Sequence, residues 1–585
     1  MREEHYDIVI VGASLGGVAA ALRASALGAD VCLLEASSWA GGQYSGQGLT
    51  RGDDNQYVDQ GTSGARGVGS TALYRRFRSN ARAFYSGSFT LSAQGKAMKP
   101  FDPGAPTQHF ATNLRIAPRV AHDVLLAMLA ATHPPVTVRL QTPVHAAELA
   151  GTRVTAVRAR PFYGLETRYR ASFFLDATDL GELLPLANVP HRLGAESTAQ
   201  TGEPFTPAAP QPAWIQPITV PIALELRPPN ESHTIPKPDF YDEIVAARKF
   251  APHFTSIFRI TPDDSLFNYR QFIAKDNFAD PAFPYDVTTI NDDQNDYTIR
   301  SIPSGDPAQD AQTIAAARAR SIAYAYYLQT AIPREDGAGF GYPNLRVATE
   351  VFGTADGTAP LPYIRESRRI EARTTVLRGD LFVAGDVRAK HSAQTCGIGH
   401  YRLDMHVLQN GMSDGGGGNP GYFQIPLGAL IAPAVENLLP ACKNLGVTHI
   451  TNGAYRVHPI EWAVGEAAGA LAAFCLKRSV TPGNVLDQAP LAREFRHAQL
   501  DAGMPLCWWT DVSFDDDAPL FAATQLTGAR GLFADPASLE FGPKGTLDPA
   551  QRAAIETSVG SALPWPSPAM TRGDAAQWLA GHLGL

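Results

Sequence analysis

Two segments late in the chain concentrate the residue types that acid–base chemistry needs. The segment "CGIGHYRLDMH" places His400 and Tyr401 directly after a glycine turn, and "GVTHITNGAYRVHP" contains His449 and Arg456. Imidazole titrates near neutral pH, so either histidine can serve as a general base. We predict that these four residues are catalytic; for each histidine alone, a structural hydrogen bond is the alternative.

A glycine turn near the N-terminus predicts the element that holds a cofactor. The stretch "DIVIVGASLGGVAAALRASALGADVCLLEAS" reads as a buried strand, a helix rich in small residues and a second buried strand. In that context a glycine motif predicts dinucleotide binding. Gly12 permits the tight turn, and Gly17 lets the helix pack closely on the sheet.

Ser14 stands where the G-x-G-x-x-G motif has its middle glycine. The pyrophosphate is expected at the helix N-terminus, beside Leu15 and Gly16, where unpaired N–H groups favour anions. We expect the small serine side chain to be accommodated there or to donate to a phosphate. Glu35, followed by Ala36, is expected to bind the ribose hydroxyls, which disfavours NADP.

The residues after the ribose-binding acid indicate which nucleotide is bound. NAD domains usually continue into another helix, whereas "EASSWAGGQYSGQGLT" places Gly41, Gly42 and Gln43 in a second glycine-rich loop. Such a loop suits FAD, because the backbone must pass close to the flavin end of the cofactor. No second β-α-β glycine motif is present in the sequence, so we predict no separate NAD(P)H domain.

Eight stretches in order resemble the FAD-dependent oxidoreductases of the fumarate-reductase-like superfamily, over roughly residues 5–478. They are "GASLGGVAAA", "GGQYSGQGLT", "FLDATDLGELL", "RLGAESTAQTGEP", "TTINDDQNDY", "PYIRESRRIEA", "CGIGHYRLDMH" and the long stretch that runs from "FQIPLGALIAP" to "HPIEWAVGEAAG". The resemblance implies an α/β fold, α+β overall, with a Rossmann-like FAD-binding domain of glutathione-reductase type. That domain would comprise residues 1–190 and 375–485, with a substrate domain at 191–374 and a mostly helical C-terminal region at 486–585.

The resemblance also implies further contacts to FAD. Val144 is expected at the adenine, and the loop Ala177, Thr178 and Asp179 is expected near the pyrophosphate. The helix "EWAVGEAAGALAAF" is expected to point its N-terminus at the flavin. The additional residues predicted to bind the cofactor in this part of the chain are Asn444, Trp462, Gly465 and Ala468. An ordinary buried helix with small-residue packing is the alternative.

Some features of the sequence depart from the family pattern or leave a residue's role undecided. Where the family usually has "AGR", this chain has Ala441, Cys442 and Lys443. Two stretches are candidates for the strand that contacts the ribityl chain, "GDLFVAGD" ending at Asp386 and the later "NLLPACK", with the later one favoured. Three arginines in "YIRESRRIEA", Arg365, Arg368 and Arg369, could supply an anchor for a substrate carboxylate or a flavin group; an ion-paired surface is equally compatible.

Composition limits the other classes. A net charge of −8 disfavours nucleic-acid partners, and we expect no membrane span. The start of the sequence runs directly into a strand pattern without a leader, which predicts a cytoplasmic protein. Five widely spaced cysteines predict buried or free thiols. The sequence has no histidine and cysteine cluster with the spacing of zinc ligands, so we predict no metal. The oligomeric state is not indicated.

We therefore expect an FAD-dependent dehydrogenase or oxidase that oxidises a small organic substrate by hydride transfer to flavin N5. Its electron acceptor is not indicated, with O2 one candidate. A single-component flavin monooxygenase that uses NAD(P)H and O2 is the alternative enzyme. The C-terminal residues partly resemble surface-layer-homology modules, which leaves a cell-envelope binding protein as the non-enzyme alternative; we favour a structural appendage.

Overall fold

The computed structural model describes residues 2–104, 114–251, 256–258, 265–408 and 417–585. The strands are β1 (Arg2–Val11), β2 (Val31–Leu34), β3 (Thr137–Arg139), β4 (Val144–Ala150), β5 (Arg153–Ala159), β6 (Thr167–Asp176), β7 (His191–Arg192), β8 (Ile218–Thr219), β9 (Ile222–Leu226), β10 (Gln271–Ile273), β11 (Asp286–Ile290), β12 (Asp296–Tyr297), β13 (Leu345–Val347), β14 (Arg369–Ile370), β15 (Thr395–Gly399), β16 (Phe423–Pro426) and β17 (Leu438–Pro440).

The helices alternate with these strands in the first part of the chain and follow one another in the last part. They are α1 (Leu15–Ala26), α2 (Ala72–Ser88), α3 (Ala93–Ala97), α4 (Pro118–Ala130), α5 (Leu183–Leu186), α6 (Thr198–Thr201), α7 (Tyr241–Ala247), α8 (Leu266–Tyr269), α9 (Pro307–Thr330), α10 (Arg378–Leu381), α11 (His449–Tyr455), α12 (His458–Arg478), α13 (Pro482–Asp487), α14 (Ala489–Asp501), α15 (Ala518–Ala529), α16 (Pro549–Val559) and α17 (Arg572–His582).

The main sheet confirms the predicted Rossmann-like fold. Its order is β3-β2-β1-β6-β5-β4, with β1, β2, β3 and β6 parallel. The first half of β6 pairs with β5, and its last residues pair in parallel with β17, where Leu438 lies beside Phe174. The apolar runs of β1 and β2 are buried as expected for strands covered on both faces.

Close packing joins α1, near the start of the chain, to α12, which lies far along the sequence. A Cβ atom on Gly465 of α12 would lie 2.0 Å from the carbonyl oxygen of Gly16, so only glycine permits this approach. The helix α12 is long and apolar enough to cross a membrane by length and composition, but 94% of its apolar window is buried inside the protein. It therefore has the environment of a core helix.

The middle of the chain supplies a separate small sheet beside a long helix. This sheet has the order β10-β11-β9-β13, and α9 packs on it through a cluster that includes Leu224, Tyr324 and Leu328. The C-terminal helices form their own apolar cluster around Trp509, Phe521 and Leu579. The predicted domain boundaries and the resemblance of the C-terminal region to surface-layer-homology modules stay predictions.

Candidate functional site

A cavity of about 360 Å³ opens at the carboxyl ends of β1, β2 and β6. Ligands in open α/β sheets bind at this edge. The predicted cofactor-binding residues on its wall are Gly12, Glu35, Ala36, Val144, Ala177, Thr178 and Asp179. We call it the nucleotide cavity.

The turn between β1 and α1 depends on glycine at position 12. Gly12 has a φ of +98°, and a Cβ atom there would lie 2.4 Å from the carbonyl carbon of Ala177. A side chain would therefore combine a strained backbone with a clash against β6's loop. Gly17 is equally restricted, because its Cβ would lie 2.0 Å from the Gly12 carbonyl oxygen.

Ser14 is the N-cap of α1. Its Oγ accepts a hydrogen bond from the Gly17 amide at 3.2 Å. The Gly16 amide donates to the Glu461 carboxylate at 3.1 Å. Leu15 follows the cap and is fully buried. Side chains of this protein thus already accept from two amides of the first turn of α1.

Glu35 faces the nucleotide cavity from the end of β2. Its two oxygens accept from the amides of Ala13 and Ser37, each at 2.7 Å. Burial raises the pKa of Glu35, although these amide hydrogen bonds act in the opposite direction. The carboxylate is thus held in place beside the position predicted for the ribose.

The second glycine loop lies directly under the N-cap of α1. The amide of Gly41 donates to the Ala13 carbonyl at 2.8 Å, and a Cβ on Gly42 would lie 3.0 Å from the Ser14 Cα. Gln43 donates through Nε2 to the carbonyl oxygen of Arg456 at 3.0 Å and also to Glu461. The loop therefore connects the glycine turn to the start of α12.

Lys443, the departure from the family's arginine, is fully buried between two carboxylates. Its Nζ contacts Asp179 and lies 3.4 Å from Glu461. Although burial opposes the charge, these carboxylates raise the pKa of Lys443 well above its usual range. Lys443 in turn lowers the pKa of Glu461, against the effect of burial. The negative charge of Glu461 thus helps to balance the positive charge of Lys443.

The later of the two candidate strands joins the main sheet. Leu438–Pro440 pairs with β6, whereas the segment ending at Asp386 forms the short helix α10 and a loop beside the C-terminal region. Asn444 follows β17 and donates to the Asp176 carbonyl at 3.0 Å, which fastens this strand to β6.

Three of the predicted flavin contacts on α12 lie away from the nucleotide cavity. Trp462 stacks on Phe77 at 5.6 Å and donates to Glu466, inside an aromatic cluster. Gly465 packs against α1, and Ala468 is fully buried on the same helix. Their roles toward a cofactor stay predictions, because small residues serve close helix packing equally well.

A second cavity, of about 400 Å³, lies between the middle of the chain and the two histidine segments. We call it the polar cavity. Tyr401 and Arg456 line it, together with Asp53, Arg270 and Asp404. Arg456 donates to Asp404 at 2.8 Å and to the Tyr363 hydroxyl. Burial, followed by the nearby Asp53 and Asp404, raises the pKa of Tyr401, so its hydroxyl stays protonated.

Neither candidate base lines the polar cavity. His449 is buried at the start of α11, with Nδ1 2.8 Å from Glu366. His400 stacks on Tyr422 at a centroid distance of 3.8 Å, and burial lowers its pKa to about 4. His400 is therefore neutral at physiological pH, and the catalytic roles predicted for both histidines stay predictions.

His406, which the sequence places in the same segment, does line the polar cavity. Its Nδ1 lies 2.6 Å from Asp296 and 3.2 Å from Asp293, and its Nε2 lies 3.4 Å from Asp404. Burial and Arg365 oppose its charge, but these carboxylates raise the pKa of His406 to about 10. His406 is therefore a half-buried cation.

The three arginines of the "YIRESRRIEA" segment have different environments. Arg365 lines the polar cavity and pairs with Asp296 at 3.0 Å. Arg368 donates to the Leu180 carbonyl, and Arg369 pairs with Glu196 and Glu366. Only Arg365 of the three is in a position to reach a ligand in the polar cavity.

One extended segment forms a wall shared by the two cavities. Leu361, Pro362 and Ile364 line the nucleotide cavity, whereas Tyr363 and Arg365 line the polar cavity. Alternate residues thus face opposite sides. The two cavities are therefore neighbours across this segment.

The sequence matches the family model of FAD dependent oxidoreductases over residues 7–498. The chain belongs to this family. The family establishes an FAD-dependent oxidoreductase, and it confirms the prediction of an enzyme over that of a cell-envelope binding protein. It also confirms FAD over NAD. No curated protein sequence matches this chain.

Several solved structures have low similarity to this chain. The match to the myxobacterial chondrochloren halogenase CndH covers 100% of this chain and 98% of the halogenase. The sequence identity is 12% and the TM-score is 0.34. It is 12% identical to the flavin-dependent brominase Bmp2 and 14% identical to the OxyS anhydrotetracycline hydroxylase from Streptomyces rimosus, with TM-scores of 0.24 and 0.26. These matches cover 39% and 63% of this chain and span only 48% of the brominase and 54% of the hydroxylase.

The residues around the nucleotide cavity fit FAD. Gly12 and Glu35 line this cavity together, and Glu35 offers a carboxylate to ribose hydroxyls. The Oε1 atoms of Gln43 and Gln47 are buried without a hydrogen-bond partner among the described residues, which leaves acceptors for a cofactor. Gln47, which lines this cavity, is not recognisable from the glycine pattern alone.

Proposed function

We propose that this oxidoreductase is a dehydrogenase or oxidase that oxidises a small organic substrate at a carbon bonded to oxygen or nitrogen. The observation that supports the proposal is the wall shared by the nucleotide and polar cavities, because a substrate in one cavity would be a neighbour of a cofactor in the other. FAD, when bound, accepts the electron pair of the substrate C–H bond. The product is the corresponding carbonyl compound or imine.

In this proposal Asp53 is the general base, and it accepts the proton of the substrate O–H or N–H bond. The Oδ2 of Asp53 lies 3.7 Å from both Arg270 and His458, which is beyond hydrogen-bond distance. Among the described residues, no donor lies within hydrogen-bond distance of this carboxylate. A carboxylate on the cavity wall with free oxygens can accept a proton from a bound substrate. His400 and His449 are less suited, because neither lines the polar cavity.

Tyr401 and Arg456 have supporting roles in this proposal. The Tyr401 hydroxyl has no hydrogen-bond partner in the described part of the chain and lines the cavity, so it can donate to a substrate oxygen. Arg456 donates hydrogen bonds to Asp404 and Tyr363 and so holds these two side chains of the cavity wall in position. Neither side chain needs to give up a proton.

Anaerobic mixing of the flavin-loaded protein with candidate alcohols and amines tests the proposal. We expect at least one substrate to bleach the flavin bands without NAD(P)H. Asp53→Asn should slow the bleaching about 100-fold, within the range that general bases contribute. Asp356→Asn, outside both cavities, is the control and should retain the rate.

Two outcomes would contradict the proposal. Bleaching that requires NAD(P)H for every substrate would instead support the monooxygenase alternative. An Asp53→Asn rate equal to that of the unmodified protein would remove the assigned base.

We also propose a cytoplasmic location. All five cysteines are buried and free, as the sequence predicts. This state is compatible with a reducing compartment.

A further inference from the structure

Arg270 in the polar cavity is buried without a full set of partners. It follows α8, and only 3% of its surface is exposed. Its Nη1 donates to the Arg51 carbonyl at 2.8 Å. Its Nε has no hydrogen-bond partner in the described part of the chain, and its Nη2 lies 3.7 Å from Asp53.

The other arginines of this cavity already bind carboxylates. Arg365 pairs with Asp296 at 3.0 Å, and Arg456 and Arg402 pair with Asp404 at 2.8 and 2.9 Å. The Tyr269 ring, 4.8 Å from the guanidinium, covers one face of Arg270 but accepts no hydrogen bond through this contact.

A buried guanidinium is costly unless acceptors satisfy its donors. Arg270 lines a cavity large enough for a small molecule, and its fork matches a planar carboxylate. A doubly charged phosphate is disfavoured, because Asp53, Asp293 and Asp404 lie on the same wall. The unpaired Tyr401 hydroxyl supplies a second donor.

We propose that Arg270, assisted by Tyr401, binds a carboxylate of the substrate, so that the enzyme acts on small carboxylic acids. This inference rests on the proposed function, since it names the substrate class for the same cavity. The 3.7 Å separation of Arg270 from Asp53 favours acids whose reacting O–H or N–H bond lies close to the carboxylate, such as 2-hydroxy or 2-amino acids.

Calorimetric titration of the flavin-loaded protein with benzoate, and with benzamide as the neutral control, tests the site without turnover. We expect benzoate to bind about 10- to 100-fold more tightly than benzamide, as hydrogen bonds to a charged group imply. Arg270→Gln should abolish this preference. Arg320 is another buried arginine with unpaired donors, but it lies outside the polar cavity. Arg320→Gln should therefore retain the preference for benzoate.

Tyr401→Phe provides an independent variant should Arg270→Gln fail to fold, and it should weaken benzoate binding about fivefold. Equal affinities for benzoate and benzamide, no benzoate binding at about 10 mM, or a preference retained in Arg270→Gln would each overturn the carboxylate site. If that preference depends on Arg270 but no acid bleaches the flavin, the proposed oxidation fails while the binding site stands. If only neutral substrates bleach it, the oxidation stands and the carboxylate site fails.

Discussion

The Ser14 hydroxyl accepts a hydrogen bond from the Gly17 amide at 3.2 Å, so the serine in the glycine motif caps the helix that it precedes. Serine is among the preferred N-cap residues because its oxygen satisfies one of the free amides of the first turn. The substitution of the motif glycine thus has a structural use that does not depend on the cofactor.

Replacement of Ser14 should therefore affect stability more than FAD binding. We expect Ser14→Ala to lower the free energy of unfolding by about 1 kcal/mol and Ser14→Gly by only a few tenths. Both variants should retain FAD. Urea denaturation and the flavin released per protein chain measure the two effects. FAD loss in Ser14→Gly would show that the hydroxyl binds the cofactor.

Gly12→Val should abolish FAD binding. Its Cβ would lie 2.4 Å from the Ala177 backbone, at the wall of the nucleotide cavity. Gly28→Val is a matched control, since Gly28 has a φ of +94° but no atom within 4 Å of its Cβ position. The control should lose about 1–3 kcal/mol from backbone strain yet keep its flavin. Normal flavin content in Gly12→Val would place the cofactor elsewhere.

The glycine turn and its shared cavity with Glu35 could be predicted from the sequence because these residues are close neighbours. Gly12, Ser14 and Glu35 lie in one β-α-β unit of about 30 residues, the usual length of that motif, and the structure places Gly12 and Glu35 on the same cavity. The spacing of these residues along the sequence is therefore enough to predict their arrangement in space.

The polar cavity could not be assembled in this way. Asp53, Arg270 and Asp404 come from three loops separated by more than 100 residues, and no periodicity links them. The small residues of α12 were ambiguous for a different reason. Gly465 permits close approach to a cofactor or to another helix, and the sequence pattern is the same for both.

Lys443 and Glu461 should be energetically coupled. Removing one member of a buried ion pair leaves an uncompensated charge, so Lys443→Met should destabilise the protein by about 3–5 kcal/mol. Lys443→Met combined with Glu461→Gln should cost less than the sum of the single variants. A double-mutant cycle by chemical denaturation measures this coupling. Additive effects would mean that Asp179 alone balances the lysine.

His406 should make stability depend on alkaline pH. Its pKa is about 10 in the folded protein, above the ordinary value of 6.5, because of Asp296, Asp293 and Asp404 and despite burial and the nearby Arg365. The contribution of the charged imidazole is therefore complete below pH 6.5 and is lost as pH rises towards 10.

Each unit of raised pKa corresponds to about 1.4 kcal/mol. Urea unfolding between those pH values should show a falling free energy of unfolding for the unmodified protein. His406→Gln cannot carry the charge, so its curve should be flatter over the same range and lower at neutral pH. Parallel curves for the two proteins would show that the imidazole is not held as a cation by these carboxylates.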